Sequence, residues 1–159
     1  MPKHADARET QDQDALEARQ RKGISDWVSA NLQGNVREIT RLERWRPCWK
    51  VTYAKGDRTG TVFVRGNNRP NAGEHALRFE MNVMQTLEEN GVKVPHIHGW
   101  MDCPKAFVMD WIDTEDRVPG MLHTAIANPT RMSEDRWQAM LSYMDHLAEV
   151  HAIPVDAFA

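Results

Sequence analysis

A chain of 159 residues with 41% apolar and 27% charged residues has the size and composition of about one globular domain with a polar extension. Its net charge of −3 weighs against a general nucleic-acid or membrane-surface binder, and no apolar run approaches the roughly 20 residues of a membrane span. Met1 to Lys22 lacks the apolar core of a secretory signal, and Cys48 and Cys103 lie far apart with no CxxC spacing, so a cytoplasmic location with both thiols reduced is expected.

Met1 to Lys22 is rich in Asp, Glu, Gln, Arg and Lys and reads as a polar tail or a solvated helix whose Leu16 does little packing. Ser25 has the chemistry to cap a short helix carrying Trp27, Val28 and Leu32, ended by Gly34. Val36 to Glu43 and Trp49 to Ala54 are rich in β-branched and aromatic residues and read as strands. Lys55-Gly56-Asp57-Arg58 is a turn, and Thr59 to Arg65 a third strand, which makes an antiparallel meander. Gly66 to Gly73 is a loop by composition, and the amphipathic helix after it stops at Asn90-Gly91. Beyond the extended Val92–Pro95 connector, His96–Met101 and Ala106–Ile112 read as two more strands, and Asp113–Thr130 as a linker or loop. Ser133 caps a last helix with Glu134 and Asp135 in its first turn; its stripe is Trp137, Met140, Leu141, Met144, Leu147, Ala148 and His151, and Pro154 stops it. The fold class is therefore α+β: a five-stranded antiparallel sheet with one packed helix, then the first helix of a helical layer that the sequence does not complete. The expected division is a tail over 1–23, a sheet-and-helix domain over 24–113, a linker over 114–132 and the helical start over 133–159.

Two charges stand where apolar residues are the rule. Alternation places Arg65 with Thr61 and Phe63 on one strand face. Glu80 lies within the helix stripe of Leu77, Met81, Met84 and Leu87, with Phe79 and Val83 beside it. A carboxylate in an apolar face is costly unless a cation meets it, and Arg65 is the nearest candidate. The pair reads either as a tie between helix and sheet or as part of a phosphate-handling site.

The order of elements and the residues at their joints resemble the N-terminal lobe of the aminoglycoside phosphotransferase and choline kinase-like family, whose fold is similar to that of protein kinases. Val62-Phe63-Val64-Arg65 looks like the third-strand motif whose cation reaches the α- and β-phosphates, and Phe79-Glu80 like the motif whose Glu orients that cation. Gly91-Val92-Lys93-Val94-Pro95 resembles the connector into the fourth strand, and Leu147-Ala148-Glu149-Val150-His151-Ala152 the end of the first helix of the C-terminal lobe. Phe107 to Ile112 resembles the hinge strand, where the backbone of Asp110 and Ile112 would meet the adenine, and Trp111 reads equally as a residue flanking a base or as a core or rim tryptophan. The resemblance spans about residues 24 to 158. It implies a nucleotide-binding lobe using ATP and Mg²⁺, with a small-molecule hydroxyl as acceptor in a C-terminal lobe.

Two departures limit what it implies. The stretch Glu43-Arg44-Trp45-Arg46-Pro47-Cys48-Trp49 has no glycine where the family brings backbone N–H groups to phosphates, so side chains such as Arg44 or Arg46 would take that role. The His-Gly-Asp catalytic loop, its Asn and the downstream metal-binding Asp are missing; His98-Gly99-Trp100 is on a strand with no Asp following. No catalytic residue and no metal ligand is therefore assigned, and the chain alone is not expected to transfer phosphate. The competing expectation is a non-catalytic binding or scaffold module with a structural Arg65–Glu80 pair. Either way, the stripe of the last helix would be exposed and would favour self-association.

Other candidates are weaker. His96 and His98 share a strand face, but a HxH without a third ligand is ordinary sheet surface more often than a metal site. Arg41, Arg44, Trp45, Arg46, Trp49 and Lys50 have the basic-aromatic mix of a nucleic-acid surface, against an acidic overall balance. His146 and His151 read as residues of a packed or partly packed helix face.

Overall fold

A computed structural model describes residues 7–44, 46–67, 74–113 and 133–158. Helix α1 spans Ala7–Leu32, followed by strands β1 (Asn35–Leu42), β2 (Cys48–Lys55) and β3 (Arg58–Gly66), helix α2 (Glu74–Glu89), strands β4 (Ile97–Asp102) and β5 (Lys105–Asp110), and helix α3 (Glu134–Ala152) with a closing 3₁₀ turn over Val155–Phe158. All strand pairs are antiparallel, and the five strands lie in the order β1-β2-β3-β5-β4. The architecture is α+β, as the pattern of β-branched runs and amphipathic helices predicts. The expected linker over 114–132 lies outside the described residues.

The chain forms two compact units: residues 1–81 with 96–111, and residues 82–95 with 112–159. In the first unit, register decides which side chains share a face. Trp49 is paired with Val64, Val51 with Val62, and Val64 with Val108, so these residues stand on one side of the sheet. Ile24 and Val28 of α1, both 0% exposed, close over them together with Met101 and Ala106. The opposite face carries Cys48, Lys50, Phe63, Arg65, Phe107 and Met109, linked by the pairs Cys48–Arg65, Lys50–Phe63, Phe63–Met109 and Arg65–Phe107.

Of the two readings of the N-terminal stretch, the solvated helix is the one observed, with Leu16 54% exposed, but it is not separate from the helix expected after Ser25. Residues 7–22 are the first turns of a single helix that continues to Leu32, and no cap at Ser25 starts a separate one. Arg21 explains how so polar a segment is held. Its Nη1 donates to the Ile39 carbonyl at 2.8 Å, while Nε and Nη2 hold Glu17 at 3.0 and 2.9 Å. Trp27 Nε1 donates to the Trp100 carbonyl at 2.8 Å, fixing the other end against β4. Close approach is allowed by Gly23, where a Cβ would fall 1.9 Å from the carbonyl oxygen of Cys103.

Helix α2 has the expected apolar stripe, with Leu77, Met81 and Leu87 buried, and Phe79, beside the stripe, is 57% exposed. It ends as its Asn90-Gly91 sequence predicts. Gly91 adopts φ +81°, its N–H donates to the Glu88 carbonyl at 2.9 Å, and Val92 N–H reaches back to Leu87 at 3.0 Å. That is the paired hydrogen bonding of a glycine-terminated helix.

In the second unit, the Ser133 hydroxyl accepts from the Arg136 N–H and caps α3. No residue of α3 is fully buried, and Trp137, Leu141 and Met144 are 49%, 41% and 52% exposed. Among the described residues, no helix is long and apolar enough to cross a membrane.

Candidate functional site

The face of the sheet away from α1 holds a three-residue charge cluster. Glu80 projects from α2 and is gripped at both oxygens: Arg65 Nε of β3 donates to Oε1 at 2.5 Å, and Arg46 Nη1, from the β1–β2 connection, donates to Oε2 at 3.2 Å. The three side chains are 25%, 28% and 35% exposed for Arg65, Arg46 and Glu80. This partial burial makes the contacts stronger than surface pairs without the full desolvation cost of an interior one. Two guanidiniums thus converge on one carboxylate, one at each oxygen. A guanidinium offers its N–H donors in a planar fork that matches paired anionic oxygens.

Cys48 faces Arg65 across the β2–β3 pair. Burial pushes its thiol up from its ordinary value, outweighing the Arg65 and Arg44 guanidiniums that pull it down. The neutral thiol is therefore the form favoured by folding. Alkylation with iodoacetamide under native conditions should modify the partly exposed Cys103 first and leave Cys48 until the chain is unfolded. Peptide mapping checks this, and equal rates at the two thiols would contradict the burial.

Two residues along β3 from Arg65, about 7 Å on the same face, Phe63 meets Trp111 with ring centroids 6.2 Å apart. Lys50 Nζ lies 4.6 Å from the centroid of the same indole, within cation–π range. Trp111 Nε1 is buried with no acceptor among the described residues. The sequence placed Lys50 only in a basic-aromatic run and did not single out Phe63 as a site residue. Their shared face with Arg65 follows from register, which becomes visible only once β2 and β3 are paired.

Of the other expected hinge residues, Asp110 has its own partners. Asp110 N–H donates to the His96 carbonyl at 2.9 Å, and its carboxylate lies 2.7 Å from His98 Nε2. Ile112, beyond the end of β5, belongs to the second unit and is 58% exposed. The structure thus unites Arg46, Arg65 and Glu80 and places Trp111 beside Phe63, while Asp110 is engaged by β4 and its approach.

The remaining sequence candidates resolve locally. His96 and His98 stack edge to face at 4.9 Å, and among the described residues no group of three His, Cys, Asp or Glu is placed to hold a metal ion. The basic-aromatic run is divided between sheet faces, with Trp49 fully buried under α1 and Lys50 opposite. His146 pairs with Glu149 within α3, at 2.9 Å. Comparison of the chain with family models, with curated proteins and with solved structures found no match, so the site is interpreted from its own geometry.

Proposed function

We propose that the first unit is a nucleotide-binding lobe of the kind found in small-molecule kinases of the aminoglycoside phosphotransferase and choline kinase-like type. The observation that carries the reading is the sharing of Glu80 by Arg65 and Arg46. In this reading Glu80 orients two guanidiniums, and the fork of Arg65 receives the phosphates of ATP with Arg46 beside it, with Mg²⁺ entering alongside the nucleotide. An arginine fork suits this role because it stays charged and binds phosphate oxygens in pairs. Arg46 then replaces the backbone N–H groups that a glycine-rich loop would offer. The adenine is assigned to the end of β5, at Asp110 and Trp111, with the Phe63–Trp111 pair as its apolar flank. The sequence contains no His-Gly-Asp loop, so the activity proposed for this chain is binding, with the acceptor hydroxyl of a small molecule handled elsewhere.

A second reading, a non-catalytic scaffold with a structural charge cluster, is favoured by one observation: both Glu80 oxygens are already satisfied within the protein. Calorimetric titration with ATP and Mg²⁺ separates the two. Binding in the range of about 0.1 mM, weakened tenfold or more by Arg65→Ala and partly kept by Arg65→Lys, is expected. Equal affinity in the parent and Arg65→Ala chains, or no heat with either, would leave the scaffold reading.

A further inference from the structure

The other face of the sheet carries a separate cleft of about 740 Å³, in the size range of small-molecule sites. The N-terminal half of α1 spans it, β1 and β2 form one wall, and the start of α2 with the β4–β5 turn forms another. None of Arg46, Arg65, Glu80, Asp110, Trp111 or Ile112 lines it. The cleft exists because the sequence of α1 changes character along its length. From Ile24 onward the helix buries apolar side chains against the sheet. From Gln11 to Lys22 it is mostly polar, and Leu16 is the one large apolar residue of that stretch.

Three features of the cleft point to the same ligand chemistry. Its apolar lining includes Leu16, Pro47, Trp49, Leu77 and Pro104, and Leu16 is 54% exposed. Trp49 is 0% exposed, and its Nε1–H is buried with no acceptor among the described residues. The charges at the rim are unequal in their commitments. Glu17 is held by Arg21, Glu74 by Arg78 and Lys105, and Asp102 by Trp100 Nε1 and Arg78. Arg19 and Arg41 have no carboxylate within ion-pair reach among the described residues, against Asp12 as the one rim acid similarly placed.

We propose that this cleft binds a small amphipathic organic anion. Its apolar body lies against Leu16, Pro47, Leu77 and the Trp49 indole, an acceptor on it takes the Trp49 Nε1–H, and its anionic head meets Arg19 and Arg41. The inference is independent of the nucleotide reading, since it uses the opposite face of the sheet and none of the same residues.

The test uses the full chain and two fluorescent probes: anilinonaphthalene sulfonate, an apolar aromatic anion, and phenylnaphthylamine, its uncharged counterpart. The sulfonate should saturate one site and bind about tenfold tighter than the amine. Leu16→Asp and Arg41→Glu, both at exposed positions, should each weaken it about tenfold. Trp137→Ala, on the exposed face of α3, should leave it unchanged. The Trp49 indole N–H resonance, assigned with Trp49→Phe, should move on titration. The proposal is overturned if binding does not saturate below about 1 mM, if it survives both cleft variants, if Trp137→Ala abolishes it, or if the Trp49 resonance stays in place.

Discussion

Ile24→Ala is expected to destabilise the chain by about 2–4 kcal/mol, the usual range for removing a buried isoleucine side chain beyond Cβ. Ile24 is 0% exposed and belongs to the cluster formed with Val28, Trp49, Val51, Val62 and Val64. The surroundings cannot collapse easily into the space left behind, because Gly23 already brings the helix backbone against the Cys103 carbonyl. Gly23→Ala is the companion change. Helix propensity by itself predicts a gain of up to about 1 kcal/mol for alanine at an interior helical position. The 1.9 Å approach of its Cβ to a backbone oxygen predicts a loss of about 1–3 kcal/mol instead. Urea denaturation followed by circular dichroism measures both. A stabilised Gly23→Ala chain, with an Ile24→Ala chain within about 0.5 kcal/mol of the parent, would mean that α1 is not docked on the sheet and that the segment behaves as the polar tail its composition describes.

That contrast shows which parts of the fold can be read without coordinates. The strands were legible because β-branched and aromatic runs were punctuated by Lys55-Gly56-Asp57-Arg58 and Cys103-Pro104-Lys105, and the ends of α2 and α3 because Gly91 and Ser133 carry the chemistry of their positions. Residues 7–22 were legible only as a choice between a tail and a solvated helix, since their helix is held by long-range contacts of a few side chains. Arg21 reaches the Ile39 carbonyl 18 positions away, and a local window sees only another charge. The candidate site was half legible for a similar reason. Arg65 and Glu80 stood out as charges in apolar patterns, and their pairing is what burial demands. Arg46, although weighed as a side-chain substitute for a glycine loop, gave no sign that it would share the same carboxylate, because the β1–β2 connection has no periodicity from which to aim a side chain. Phe63 and Lys50 needed the β2–β3 register before they could be seen facing Trp111.

Glu80→Ala should cost about 1–3 kcal/mol in stability, below the 3–5 kcal/mol of a fully buried broken pair, because the three side chains retain a quarter to a third of their exposure. Removing the carboxylate deprives two partly dehydrated guanidiniums of the acceptor they share. A double-mutant cycle with Arg65→Ala should return a coupling of about 1–2 kcal/mol, and the cycle with Arg46→Ala a smaller one, since its contact is 3.2 Å against 2.5 Å. Raising the salt should shrink both couplings without abolishing them, as screening acts weakly on partly buried pairs. The response to ATP then decides what the cluster is for. Simple Coulomb attraction says that deleting a negative charge tightens the binding of an anion. Orientation says the opposite: without Glu80, Arg65 no longer holds the direction that presents its fork to a phosphate, and affinity falls. For a nucleotide site we expect ATP binding to weaken about tenfold in Glu80→Ala, equivalent to about 1.4 kcal/mol, even though the local charge has become more positive. ATP binding that tightens in the variant would show that the arginines attract phosphate without being positioned for it, and would return Glu80 to the role of a tie between α2 and the sheet.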